Sequence, residues 1–220
     1  MLGYDPYYFT PEVSNSELSR LKEYFMPKGY VIDSKIAYRF GNLIDAMLTE
    51  AHRCDYLTLK VDDEQFSKEE WNKAYNMKKA FEKDPSCARY LKMATGQSVF
   101  RNPNFEIDYQ GFLFSLPVKC KYDLWFGNIG WGADIKSTTA TTQKQFEDAC
   151  RYFDYDRQRA WYMDITGAKQ DILIGISKVN NKIFQLPINH ESDFYKSGKE
   201  KYQDWAFKYY CLFSDFKLVA

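Results

Sequence analysis

The sequence predicts an α/β (α+β) protein: a central mixed sheet containing an antiparallel meander, flanked by helices. Three observations lead there. Residues 104–138 alternate, are rich in aromatic and β-branched residues, and are punctuated at Gly111, Gly127-Asn128 and Gly130, as strands joined by short turns are. Before them lie capping-box sequences followed by apolar residues at helical spacing. After them come a helical pattern, the nearly continuous apolar run DILIGIS (171–177) expected of a strand buried on both faces, and a last amphipathic helix.

Taken in order, residues 1–13 are aromatic and lack periodicity, which predicts an irregular arm. Ser14-x-x-Glu17 opens a helix through Leu18, Leu21, Tyr24 and Phe25, closed by Pro27 and Gly29. A second helix starts at Asp33 or Ser34 with Ile36, Ala37, Phe40, Ile44, Met47 and Leu48 on one face; Gly41 inside it implies close packing or a backbone pressed against a site. YLTLKV (56–61) reads as a short strand or an extended linker. Ser67-x-x-Glu70 begins a helix through Trp71, Ala74, Met77 and Phe81, and Asp84-Pro85 separates it from another over 86–94. The meander follows, with turns near Gln110-Gly111 and 126–130. One long helix is predicted from Gln143 to Met163, then strands at 171–177 and 182–186, then a helix over about 192–211.

With 220 residues, the chain suits one sizeable domain. Thirty acidic residues balance thirty basic ones, so the chain lacks the overall field of a protein that binds nucleic acid by charge alone. That balance leaves open an enzyme with local cations and metal ions. No run approaches the ~18 apolar residues of a membrane span, and the N-terminus lacks the basic start and apolar core of a signal peptide. The expectation is a soluble, cytoplasmic protein without membrane contact. Five scattered cysteines without a CxxC pair suggest neither a zinc ribbon nor a disulfide framework, but buried thiols. Two histidines are too few for His-rich metal sites and weigh against Ser–His or Cys–His catalysis.

The chemistry concentrates in residues 119–162. Period-two geometry puts Val118, Cys120, Tyr122 and Leu124 on one face of a strand and Lys119, Lys121 and Asp123 on the other. In GADIKST (132–138) Asp134, Lys136 and Thr138 share a face opposite Ala133, Ile135 and Ser137, and pairing across the short turn brings Asp123 near Asp134. Gln158 and Tyr162, spaced i, i+4, lie on one helical face. An acid-x-Lys tripeptide alone carries no weight, since chance gives about three in a chain of this composition. Three occur, at Asp33, Asp134 and Asp215, and only the middle one lies in a clear strand shortly after another strand-borne acid. Two converging carboxylates resist joint ionisation without a cation, and Mg²⁺ prefers such hard oxygen ligands. A lysine on the same face can orient a metal-bound water and stabilise charge on phosphorus.

The order Asp123…Asp134-Ile135-Lys136…Gln158-x-x-x-Tyr162 resembles the PD-(D/E)XK nuclease superfamily, in particular its RecB-like and RecE-like (exonuclease VIII) branch. The resemblance covers about 34–211, so it implies a restriction-endonuclease-like core there, preceded by an arm and helix in 1–33. It implies a Mg²⁺- or Mn²⁺-dependent deoxyribonuclease in which Asp123, Asp134 and the Ile135 carbonyl bind metal and Lys136 positions the attacking water. Gln158 and Tyr162 would hold the site or contact the DNA backbone. The branch carries Gly-x-x-x-His on an upstream helix; here Gly41-Asn-Leu-Ile-Asp45 puts Asp45 in the histidine's place, and a carboxylate is also a competent ligand. Ser197-Gly198-Lys199 loosely fits the same branch. Some relatives hold an iron–sulfur cluster through one early and three late cysteines; only Cys211 is late here, so no cluster is expected.

The branch further implies an exonuclease on duplex DNA ends in phage or prophage recombination or repair, working with a single-strand annealing protein and self-associating. The competing readings are a catalytically inactive DNA-binding or interaction protein that keeps the fold, favoured by Asp45 in place of histidine, and a nuclease with a restriction or spacer-processing task. Lys119, Lys121, Lys144, Arg151, Arg157 and Arg159 flank the motif as phosphate contacts, or more simply as solvated surface.

Overall fold

The computed structural model describes residues 6–27 and 34–213. Helix α1 (Asn15–Phe25) begins where the capping box asks: the Ser14 backbone N–H donates to the Glu17 carboxylate at 2.9 Å. Leu18 and Leu21 are buried, whereas Tyr24 and Phe25 are exposed. Helix α2 (Ser34–Thr49) buries Phe40, Leu43, Ile44 and Met47; Ile36, expected on that stripe, faces solvent. Strands β1 (Cys54–Asp55), β2 (Lys60–Val61) and β3 (Glu64–Gln65) make a small antiparallel sheet, so YLTLKV is mostly turn. Helix α3 (Lys68–Lys83) is capped by Ser67 and Glu70 as predicted. The Asp84 carboxylate accepts the Ser86 and Cys87 amides to start α4 (Pro85–Met93), with proline at the first turn.

The principal sheet opens with β4 (Thr95–Tyr109), β5 (Phe112–Phe126) and β6 (Trp131–Thr138). Gln110 and Gly111 join the first two with φ of 54° and 88°, the pair of positive angles a tight hairpin needs. Strand β4 starts well before residue 104, and its first half went unread because it is polar and alternates weakly; a bulge lies between Asn102 and Phe105. Two helices, α5 (Gln143–Tyr152) and α6 (Tyr155–Thr166), carry the chain over to β7 (Gln170–Ser177), which runs parallel to β6. The antiparallel β8 (Ile183–Asn189) and the long α7 (Asp193–Phe213) complete the fold, with strand order β4-β5-β6-β7-β8. The helix predicted as continuous from 143 to 163 breaks at Asp154, which adopts φ 55°, ψ 34°.

Apolar side chains fill both faces of this mixed sheet. Helices α1, α5, α6 and α7 cover one face around Cys120, Tyr122, Trp161 and Leu173. Helices α2, α3 and α4 cover the other around Ala133, Ile135, Ile172, Ile174 and Ile176, so DILIGIS is buried on both sides as expected. Alternation fails at one place. Tyr122 packs with the α6 side while Leu124 lies with the α2 side, whereas period two predicted that they share a face. The break falls on Asp123. Three of the five thiols, Cys87, Cys120 and Cys150, are buried, Cys54 is half-buried and Cys211 exposed; none is in a disulfide. Among the described residues no helix is long and apolar enough to cross a membrane.

Candidate active site

Strands β5 and β6 pair through Phe126–Trp131, Trp125–Gly132 and Leu124–Ala133, and there the ladder stops. Asp123 and Asp134 are the next residues on each strand. In place of a ladder bond, Asp123 Oδ2 accepts the Ile135 N–H at 2.7 Å. A strand residue's N–H and C=O point to the same neighbour, so the Ile135 carbonyl faces this gap too. Pairing with β4 also lapses opposite Asp123: Gly96–Leu124 and Ser98–Tyr122 flank it, and Gln97 between them has φ 50°. Asp123 therefore sits where the sheet opens on both sides.

Asp134 is 2% exposed. Its Oδ1 accepts Arg159 Nη1 at 2.9 Å. Lys136 Nζ lies 2.6 Å from Oδ2, an ion pair off the line a hydrogen bond needs, so that buried oxygen has no directed donor. Lys136 also lies 4.7 Å from the Tyr155 ring centre. From α2 the half-buried Asp45 reaches the same place, close enough for its charge to interact with Asp123, Asp134 and Lys136. Thus the structure brings Asp45, Asp123, Asp134, the Ile135 backbone and Lys136 together.

Burial and crowding of like charges set the protonation here. Burial, then the Asp123 charge, pushes the Asp45 carboxyl well above the carboxylate range, and Lys136 only partly offsets this. Asp123 is pushed up to about 7 by burial and then by Asp134, against the opposing pull of Lys136 and the Ile135 amide. For Lys136 burial works to lower the value, but Asp134, Tyr155 and Asp123 outweigh it and hold the amine above its usual range. Lys136 is an ammonium at neutral pH.

Beneath the site Arg159, fully buried, donates Nε and Nη2 to Asp171 Oδ1 and Oδ2 at 3.0 and 2.6 Å while holding Asp134 with Nη1. Tyr162 lays its ring 4.6 Å from that guanidinium and edge-on to Tyr122. Tyr162 thus buttresses the arginine that fixes Asp134. Gln158, one turn away on the same helix, keeps its Oε1 buried and without a partner.

A divalent ion fits the residues present. Asp134 Oδ2 lacks a directed donor, two further carboxyls are pushed above the carboxylate range by burial and then by neighbouring like charge, and a backbone carbonyl faces them; Mg²⁺ binds through one or two carboxylates plus water. In this arrangement no three His, Cys, Asp or Glu groups among the described residues form a ready-made cage. Protein of the PD-(D/E)XK type generally uses divalent metal ions.

Three cations expected on the surface are buried. Lys119 donates to the Tyr7 and Thr10 carbonyls at 2.7 and 2.9 Å, fastening the N-terminal segment to β5. Arg157 reaches Asn15 Oδ1 and Ser19 Oγ on α1, and Arg159 is the internal clamp. Lys144 and Arg151 are exposed and Lys121 is half-buried. Gly41 meets nothing where a Cβ would be, so neither packing nor the site requires it. At Gly198 a Cβ would lie 2.0 Å from the Asp156 carbonyl, Ser197 Oγ donates to Asp156, and Lys199 pairs with Asp164: this triplet joins α7 to α6. The Asp-x-Lys matches at Asp33 and Asp215 lie outside the described residues.

Sequence reasoning placed Arg159 among the flanking phosphate contacts or surface cations, and missed Asp171 and Tyr155. A signal for Arg159 and Asp171 was present: an acid at the head of a strand buried on both faces needs an internal cation, and Arg159 is fixed by the same helix as Gln158 and Tyr162.

Residues 16–180, three quarters of the chain, match the family described as "PDDEXK-like domain of unknown function (DUF3799)". No curated protein matches at the sequence level. Among solved structures, a protein of Eubacterium rectale provisionally named an exonuclease is similar in fold, with TM-score 0.53 and 18% identity over 78% of this chain and 65% of that one. A phage-related exonuclease from Haemophilus somnus 129PT is more distant, at TM-score 0.35 and 14% identity over 53% of this chain and 63% of that one. The chain spans less than two thirds of either solved protein. A mixed sheet that opens at its paired acids, together with the extent of the family match, makes this chain a member of the PDDEXK-like domain family (DUF3799), within the PD-(D/E)XK superfamily.

Proposed function

We propose that the chain is a divalent-metal-dependent deoxyribonuclease that hydrolyses phosphodiester bonds. The observation that carries this is the meeting of Asp45, Asp123, Asp134 and Lys136 at the opening between β5 and β6. Asp123, Asp134, the Ile135 carbonyl and Asp45 would hold Mg²⁺ or Mn²⁺. A divalent ion held there would supply Lewis-acid polarisation of a phosphoryl oxygen and a more acidic water. Lys136, an ammonium, orients the attacking water and stabilises charge developing on phosphorus. Arg159 keeps Asp134 in one rotamer, and Tyr162 keeps Arg159 in place. Gln158 holds the site or contacts the DNA backbone.

Asp45 lying within this group supports a live site over an inactive one, since the position that departs from the RecB/RecE pattern still supplies an oxygen ligand. The finer proposal is an exonuclease acting on duplex ends in phage- or prophage-type recombination or repair, in the cytoplasm, with a single-strand annealing protein and as a homo-oligomer. Residues 1–220 are proposed to act as one domain, with no iron–sulfur cluster. These points rest on the family resemblance. Purified protein with linear and circular duplex DNA tests both levels in Mg²⁺, Mn²⁺ and EDTA. The expected result is metal-dependent loss of linear DNA only, abolished by Asp134→Asn and Lys136→Ala. Cleavage that survives both substitutions removes the catalytic assignment, and equal cleavage of circles removes the exonuclease assignment.

A further inference from the structure

Residues Tyr152, Phe153 and Tyr155 form a row of rings running from the candidate catalytic lysine to the surface. The Tyr155 ring lies over Lys136 Nζ at 4.7 Å. Phe153 stacks on Tyr155, with ring centres 5.8 Å apart and planes inclined by 30°. Tyr152 meets Phe153 edge-on at 5.0 Å. The outer two rings are about half exposed, at 53% for Tyr152 and 48% for Phe153.

A continuous helix cannot make this row, because residues two apart point to different sides of a helix. The row exists because the helix breaks. Asp154 takes a left-handed backbone conformation that residues other than glycine adopt at a cost, and this turns Phe153 to face Tyr155. The break is held from outside: the Asp154 carboxylate caps no amide but is gripped by Lys22 of α1 and Lys201 of α7. Two elements remote in sequence thus fix a conformation whose visible product is a pair of solvent-facing rings beside the site.

We propose that Phe153 and Tyr152 are a stacking platform for unpaired nucleobases of the DNA strand whose phosphate lies at Lys136. The inference rests on the nuclease reading and sharpens its substrate: a frayed or single-stranded end. Aromatic faces bind any base, because each base has a π-face, so the platform adds affinity without sequence preference. Its continuity with Tyr155 and Lys136 selects this occupant, since a strand placed with its phosphate at the lysine carries its neighbouring bases along the row. Exposed Arg151, the residue before Tyr152, adds positive charge for the backbone.

Fluorescence anisotropy on the full chain in EDTA, which withholds the divalent ion, tests the platform with two probes: a labelled oligothymidine and the same oligomer with abasic spacers. The wild-type chain is expected to bind the base-bearing strand at least about fivefold more tightly. Phe153→Ala with Tyr152→Ala should remove that preference while leaving abasic affinity unchanged, and Phe153→Trp should keep it. Equal affinity for the two probes in the wild type, or an undiminished preference in the double variant, overturns the proposal. So does a change in oligomeric mass in the double variant without loss of base preference, which would make the row a self-association surface. Metal-dependent cleavage measured alongside separates the two readings. Cleavage without base preference sinks only the platform, whereas base preference without cleavage sinks only the nuclease.

Discussion

Arg159 on α6 and Asp171 at the start of β7 form a fully buried two-point ion pair, and the third arm of the same guanidinium holds Asp134. The crossover between the two parallel strands is therefore tied to the acid at the centre of the site. One substitution should disturb stability and metal binding together.

Arg159→Met leaves the buried Asp171 without its ion-pair partner and Asp134 with Lys136 alone. Breaking a buried pair in this way costs about 3–5 kcal/mol, measurable as a fall in the denaturation midpoint. Arg159→Lys should recover only part of it, because an ammonium cannot reproduce a fork that bonds two carboxylates at once. Adding Asp171→Leu to Arg159→Met should return part of the loss by removing one stranded charge.

Asp45→Ala is expected to raise the Mg²⁺ or Mn²⁺ concentration for half-maximal cleavage by roughly 10-fold or more, the scale on which groups that support a metal site act. Asp45→His should stay closer to wild type, since imidazole is also a ligand. Metal titrations of cleavage at fixed DNA concentration give both values.

Metal binding should tighten as pH rises through about 7, where Asp123 loses its proton in the folded chain. The sign follows from linkage. Asp123 has a higher pKa folded than unfolded, so the metal-free folded state holds the extra proton, and stability falls as pH climbs from 3.8 towards about 7. Thermal melts in EDTA should show this fall, and Asp123→Asn, which still accepts the Ile135 amide, should lessen it, the remainder coming from Asp45, whose carboxyl burial also raises. Added metal should reverse the fall in the wild-type chain and not in the variant.

Gly132→Ala places a methyl 1.7 Å from a Tyr122 ring carbon, on the strand that presents Asp134. Gly198→Ala places one 2.0 Å from the Asp156 carbonyl. Each should destabilise by about 1–3 kcal/mol or more through overpacking, read by chemical denaturation. Gly41→Ala should be neutral or slightly stabilising, because its Cβ meets nothing and alanine favours helix.

Local signals carried the outline of the fold. Ser14/Glu17 and Ser67/Glu70 marked two helix starts, Asp84-Pro85 a third, and Gln110-Gly111 the hairpin, because capping and turn chemistry are settled within a few residues. The shared face of Asp134 and Lys136 was legible for the same reason, as period two needs no partner strand. Other features were decided by contacts remote in sequence. Lys22 and Lys201 hold the Asp154 break that splits a helix whose apolar pattern runs straight through it. Asp171, at the head of the strand that follows its helix, withdraws Arg159 from the surface that its charge predicted. The acid and the lysine in GADIKST, and Asp123 before them, were thus written in the sequence. Whether β5 and β6 part at Asp123, and whether Asp45 comes to meet them, was decided by tertiary packing, because burial and like-charge crowding exist only once distant elements have met.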